Sequence, residues 1–255
     1  MRETLRLSWR VALRHWDVYR LNFWTNISPM VSDPAFLLIC LGIGLGAYVT
    51  DVGGMSYLEY LGPGLAIMAA FWASVFETSY GFFVRNTFEN VYDAMMTTPV
   101  GADEIVYGEF IWVALQGAGL ATGVAVVMAL FGVVDPTGLI AIPFVGAATA
   151  LATGAIGMIC SGLIRSITQF HPFFAVVVNP LFFFSAVFFP MDSVHWTLQA
   201  VAWINPFYHG VRLGQAALWG EGLGLAFLVH LPALLVSIFL LGWLARHLIR
   251  KKLIL

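Results

Sequence analysis

Few residues of this 255-residue chain could do chemistry, and their spacing excludes most kinds. A phosphate-binding loop for ATP needs a Gly-rich turn running into Lys and then Ser or Thr, and the only lysines are Lys251 and Lys252. ATP hydrolysis by a P-loop is therefore not expected of this chain. Gly42, Gly44 and Gly46 repeat inside an apolar run that lacks the strand-turn-helix setting of a dinucleotide site. Gly42 and Gly46, like Gly119 and Gly123, read instead as positions of close helix packing. Neither an HExxH stretch nor a GxSxG turn occurs, and the acidic residues do not pair at metal-binding spacing. No catalytic, metal or cofactor-binding residue is expected, and an intramembrane enzyme is the weakest reading. Cys40 and Cys160 lie in apolar runs without ligand-type neighbours, so they read as small packing residues rather than a disulfide or a zinc site.

One ionisable group stands well inside an apolar stretch. Glu77, left uncompensated there, would cost on the order of several kcal/mol, so it must face a partner or a wet cavity. It serves either as a proton-coupling carboxylate, as in a secondary transporter, or as one half of a buried hydrogen bond or salt bridge with Arg85 two turns on. His230, two residues before Pro232, reads as a helix-packing histidine; Arg165, His171 and Pro172 read as an anchoring turn.

The elements that must position these groups belong to a membrane protein. Apolar residues make up 60% of the chain and charged ones 10%, far from globular usage. The net charge of -2 offers nothing to nucleic acid. The expected fold is all-α, one integral membrane domain over 1–255, with six spans at about 29–50, 61–84, 110–134, 139–164, 173–190 and 223–245. With both ends cytoplasmic, eleven of the twelve Lys and Arg residues fall inside and only Arg212 outside, which an odd number of spans would not give.

Residues 1–28 read as an interfacial helix. Leu5, Trp9, Ala12, Trp16, Tyr19 and Phe23 recur along one face while Arg6, Arg10 and Arg14 line the other; a helix packed on protein is the alternative. In the loop between spans two and three, Phe88, Val91, Tyr92 and Met95 recur at helical spacing, and Thr97-Thr98-Pro99 ends the turn. That apolar face has no core of its own to enter and predicts a partner protein. Residues 191–222 divide at Asn205-Pro206 into two short external helices, about 194–204 and 207–219. The rings of Phe182, Phe183, Phe184, Phe188 and Phe189 suit acyl chains or sugar faces, and Phe182, Phe184, Phe188 and Phe189 are candidates for lining a pathway.

FETSYGFFVR at 76–85, YDAMMTTPV at 92–100 and GEFIW at 108–112 resemble type-2 ABC transporter permeases, in particular the nodulation protein J group. NPLFFFSAVFFPMD at 179–192, NPFYHGVRLGQ at 205–215 and Asp33-Pro34 ahead of LGIGLG fit the same family, and Ala186 departs from it where many members carry Gly. The resemblance implies a homodimeric permease of a bacterial inner membrane that binds two copies of a separate ABC-type ATPase, which carries the ATP and Mg. It makes Phe88, Tyr92, Met95 and Met96 the coupling helix to that ATPase. It also implies export of a large amphiphile such as a glycolipid, lipo-oligosaccharide, polysaccharide or drug.

Overall fold

A computed structural model describes residues 2–49, 51–219 and 224–254, and among them there is no strand, only an isolated bridge between Val52 and Met55. Five helices are long and apolar enough to cross a membrane: α2 (Phe23–Leu45), α3 (Tyr57–Thr87), α5 (Ala102–Leu130), α6 (Ile142–Leu163) and α10 (Leu225–Ile254). α1 (Arg2–Leu21) precedes them, and α4 (Val91–Met96) lies between α3 and α5. The fifth apolar segment is the shorter α7 (Ile167–Phe183), followed by α8 (Trp196–Ile204) and α9 (Pro206–Leu218).

Several expected boundaries move. The first helix stops at Leu21, so residues 23–28 belong to α2 and do not continue the first helix. α5 begins at Ala102, eight residues before the expected 110, because Gly101 and Glu104 form its N-terminal cap. Residue 223, the expected start of the last span, lies outside the described residues.

α7 ends at Phe183 rather than near 190. The chain leaves helical geometry at Phe184, and Ala186 takes a left-handed φ of 64°. Irregular backbone buried in a fold needs its carbonyls satisfied by protein. Asn205 Nδ2 donates to the carbonyls of Leu181 (2.6 Å) and Phe184 (3.2 Å), and Tyr57 Oη donates to that of Phe188 (3.0 Å). Tyr60 Oη (2.8 Å) and Gln215 Nε2 (3.0 Å) both donate to the Ala186 carbonyl. Asn205 Oδ1 meanwhile accepts from Phe207 N and caps α9, with Pro206 at its first turn. α9 is buried along most of its length and packs against α3, α6 and α10, so it is part of the core and not only an external cap.

Close helix packing falls at Gly42 as expected, where an added Cβ would run into the Leu58 side chain of α3, and also at glycines that were not expected. Gly117 of α5 meets Gly146 of α6, where an added Cβ on Gly117 would lie 2.4 Å from Ala150 Cβ and 2.9 Å from the Gly146 carbonyl. Gly119 and Gly123 face open space. Cys40 is exposed rather than packed, whereas Cys160 is buried.

α1 packs on protein along the first half of α5. Its buried stripe is Ser8, Val11, Ala12 and His15, with Trp9 and Trp16 left half-exposed on the flank. Gly108 permits the contact: a Cβ there would stand 2.5 Å from Val11 Cβ.

Candidate functional site

A buried polar cluster forms where α1, α3, α4 and α5 converge. Its centre is Arg85, whose Nη1 donates to Glu77 Oε1 at 2.7 Å and whose Nη2 donates to Glu109 Oε2 at 3.0 Å. The two α3 residues meet because Glu77–Gly81 is a π-turn. A π-turn takes one extra residue, so a separation of eight behaves like seven, which on an α-helix is within about 20° of the same face.

Glu109 is fully buried and takes two further contacts, both on its other oxygen. Tyr92 Oη donates to its Oε1 at 2.6 Å, and His15 Nε2 lies 2.7 Å from the same atom. Arg85 Nε donates to Tyr92 Oη at 2.9 Å, which closes the ring of bonds. Burial pushes the Tyr92 phenol well above the ordinary tyrosine range, which keeps its proton available for donation. His15 also stacks on Trp112 of α5, with ring centroids 5.7 Å apart. Ligand-type atoms of His15, Glu77 and Glu109 lie within 4.8 Å of one another, a grouping the sequence spacing hides. The Arg85 guanidinium bonds both carboxylates and supplies the positive charge that such a group needs.

This geometry corrects the reading of the short helix. Tyr92 is fully buried and stacks on Phe82 at 4.6 Å, so it enters this chain's own core, and Met95 and Met96 pack partly against the same cluster. Phe88 is not on that helix at all. It follows the end of α3 and is separated from α4 by Asn90, whose left-handed φ of 52° breaks the backbone direction. What α4 and its approach turn outward is Phe88, Asp93, Ala94 and Thr97.

The aromatic set also divides. Phe182 is buried against Phe71, Trp72 and Phe207. It lines a groove of about 520 Å³ with Phe36, Met68, Trp72 and Phe76, and Phe188 packs on it at 5.2 Å. Phe184 and Phe189 pack elsewhere, against a cluster of Met191, Ala202 and Tyr208. His230 does pack between helices: its Nδ1 lies 2.9 Å from His209 Nδ1, and its ring stacks on Trp203.

His15 and Glu109 are the members of the cluster that sequence reasoning missed. Glu109 falls one residue before the expected third span, and the one available signal was its place in GEFIW.

The model of the ABC-2 type transporter family matches residues 2–219. The chain belongs to that family. It is 32% identical over 250 residues to nodulation protein J of Rhizobium leguminosarum bv. trifolii, with 97% of this chain and 95% of the relative covered. Nodulation protein J of R. leguminosarum bv. viciae is 30% identical with the same coverage. The inner membrane transport permease YadH of Escherichia coli is 23% identical over 259 residues, covering 94% of this chain and 95% of the relative. The family member described here is a membrane-embedded ABC transporter permease, a transport protein rather than an enzyme.

Proposed function

We propose that this chain is the permease of an ATP-driven exporter, working as a homodimer with two copies of a separate ABC-type ATPase that binds ATP and Mg. It crosses a bacterial inner membrane six times with both termini in the cytoplasm. α7 and the irregular residues after it make up the fifth crossing, their carbonyls capped by Asn205, Tyr60 and Gln215. The cargo is an amphiphile such as a glycolipid, lipo-oligosaccharide, polysaccharide or drug. The groove beside Phe182 supplies aromatic contact for its apolar part, with Asp33 at the groove wall.

The observation that carries this reading is the mounting of α4. A helix of six residues has little stability of its own, yet Tyr92 fastens it to Arg85 and Glu109 inside the permease. Its outward face of Phe88, Asp93, Ala94 and Thr97 is then free to take a push from an ATPase and pass it to α1, α3 and α5. A proton-coupled transporter using Glu77 is less well supported, because Arg85 already holds that carboxylate.

The test is purification of the tagged permease from its own membranes, followed by a search for a P-loop ATPase among the co-purifying proteins. The expected result is recruitment by the native chain and its loss in Phe88→Asp, with membrane abundance unchanged. Absence of any ATPase, together with transport that follows a proton gradient, would overturn the reading.

A further inference from the structure

One carboxylate inside the spans stands without a partner. Asp33 lies ten residues after Phe23 and twelve before Leu45, near the middle of α2, and its side chain is exposed. Among the described residues no hydrogen bond or ion pair reaches its carboxylate. Glu77 and Glu109, by contrast, share the Arg85 guanidinium. An ionisable side chain within a span, facing no partner of its own chain, marks a place where something else binds.

Its surroundings narrow the chemistry of that something. Asp33 lines the groove of about 520 Å³ together with Phe36, Trp72, Phe76 and Phe182, and no basic side chain lines it. The rings make one continuous wall, with the centroid of Trp72 5.6 Å from that of Phe76 and 5.2 Å from that of Phe182. Aromatic faces attract a cation through their quadrupole, and a carboxylate among them supplies the countercharge. Other occupants fit less well. A neutral sugar can stack on the rings and donate to Asp33, but it leaves the carboxylate's charge uncompensated where water is scarce. A hard metal ion asks for about six oxygens, and this groove offers one carboxylate among apolar side chains. A second copy docked isologously on the groove would bring another Asp33 and no cation.

We propose that this groove selects its cargo by positive charge. It takes an amphiphile whose ammonium group lies against Asp33 while the apolar body runs along Trp72, Phe76 and Phe182. The site rests on the groove being the cargo's, as read above, and narrows that cargo from amphiphiles in general to cationic ones.

Three probes with one tail and different heads test the charge: dodecylamine, dodecyl glucoside and dodecyl phosphate. Binding of each is measured on the permease in phosphatidylcholine nanodiscs, with the uptake of empty nanodiscs subtracted. Dodecylamine should bind the native chain most tightly, and Asp33→Asn should weaken it by about tenfold or more, the factor that one charge-assisted hydrogen bond supplies. The glucoside and the phosphate should bind Asp33→Asn no more weakly than the native chain. Asp33→Glu should keep the amine, and Phe36→Leu should weaken it, which a bare surface charge would not require. Both Asp33 and Phe36 are exposed, so unfolding midpoints should match the native one. Equal binding of dodecylamine by the native chain and Asp33→Asn would overturn the proposal. So would Asp33-dependent binding of the glucoside or of calcium with none of the amine, or amine binding that appears only when dimers are diluted to monomers. ATPase recruitment is read independently, so failure at Asp33 with recruitment intact removes the charge selection alone.

Discussion

Tyr92 of α4 donates a 2.6 Å hydrogen bond to Glu109 of α5, a residue with no exposure to solvent, and this bond ties the short helix to the body of the permease. Replacing the hydroxyl alone isolates its value. Tyr92→Phe keeps the ring stacked on Phe82 and removes one donor from a buried carboxylate and one acceptor from Arg85. The expected loss is about 1–3 kcal/mol of stability, the usual cost of a buried group left short of a partner. Thermal unfolding in detergent measures it. Because α4 is then less firmly held, transport should fall further than protein abundance does; an unchanged ratio of the two would refute the role of α4 as a transmitting element.

The α5–α6 crossing at Gly117 and Gly146 has no room for a side chain. Gly117→Val places its Cβ in the space of Ala150 and should cost about 1–3 kcal/mol or more through forced helix separation. Gly123→Ala, two turns on and facing open space, should be neutral or gain about 0.5–1 kcal/mol from helix propensity. Equal behaviour of the two variants in thermal unfolding would remove the crossing from the account.

Ala186 holds a left-handed backbone whose carbonyl takes two side-chain donors. For a residue with a Cβ that conformation costs about 1–2 kcal/mol, while glycine gives back about 0.4–1 kcal/mol in the freedom of the unfolded chain. Ala186→Gly should therefore stabilise the protein by up to about 1 kcal/mol, read as a raised unfolding midpoint. A lowered midpoint would mean that the methyl group packs more favourably than the backbone is strained.

His209 donates from Nε2 to the Trp203 carbonyl at 3.0 Å, which leaves its Nδ1 to accept from His230 Nδ1–H at 2.9 Å. Burial holds the His209 pKa below the ordinary histidine range, against a smaller opposing pull from the Trp203 carbonyl. Unfolding then takes up a proton, so this contribution is complete above about pH 6.5 and is lost as pH falls toward and through the folded value. The unfolding midpoint should drop between pH 7.5 and 5, and His209→Phe should flatten that slope even while lowering the midpoint itself. A slope unchanged in His209→Phe would assign the pH dependence to other groups.

The apolar runs, the break at Asn205-Pro206 and the end of α4 before Pro99 were legible from local chemistry, because hydrophobicity and proline act on their own neighbourhood. The pairing of Glu77 with Arg85 was also open to sequence, since both lie on one helix. The direction of Tyr92 was not. A helix of six residues shows the same spacing whether its ring points outward or inward, and the partner that draws it in, Glu109, comes from another helix. His15 and Glu109 stand 94 residues apart, beyond any periodicity. The phenylalanine run past Phe183 stays as apolar as a helix would be. What ends α7 is a set of distant donors, Asn205, Tyr60 and Gln215, that satisfy the carbonyls of an irregular buried backbone.

The π-turn at Glu77–Gly81 ties the length of α3 to its electrostatics. Such a turn is an α-turn with one residue inserted, so a descendant gene could lose a codon there and still encode an unbroken helix. Arg85 would then stand seven residues after Glu77 on a regular α-helix, within about 20° of the same face, and the pairing with Glu77 and Glu109 would persist. A second lost codon would swing it by about 100° and break the pairing. The π-turn therefore gives α3 a tolerance of one residue in length that a regular helix lacks.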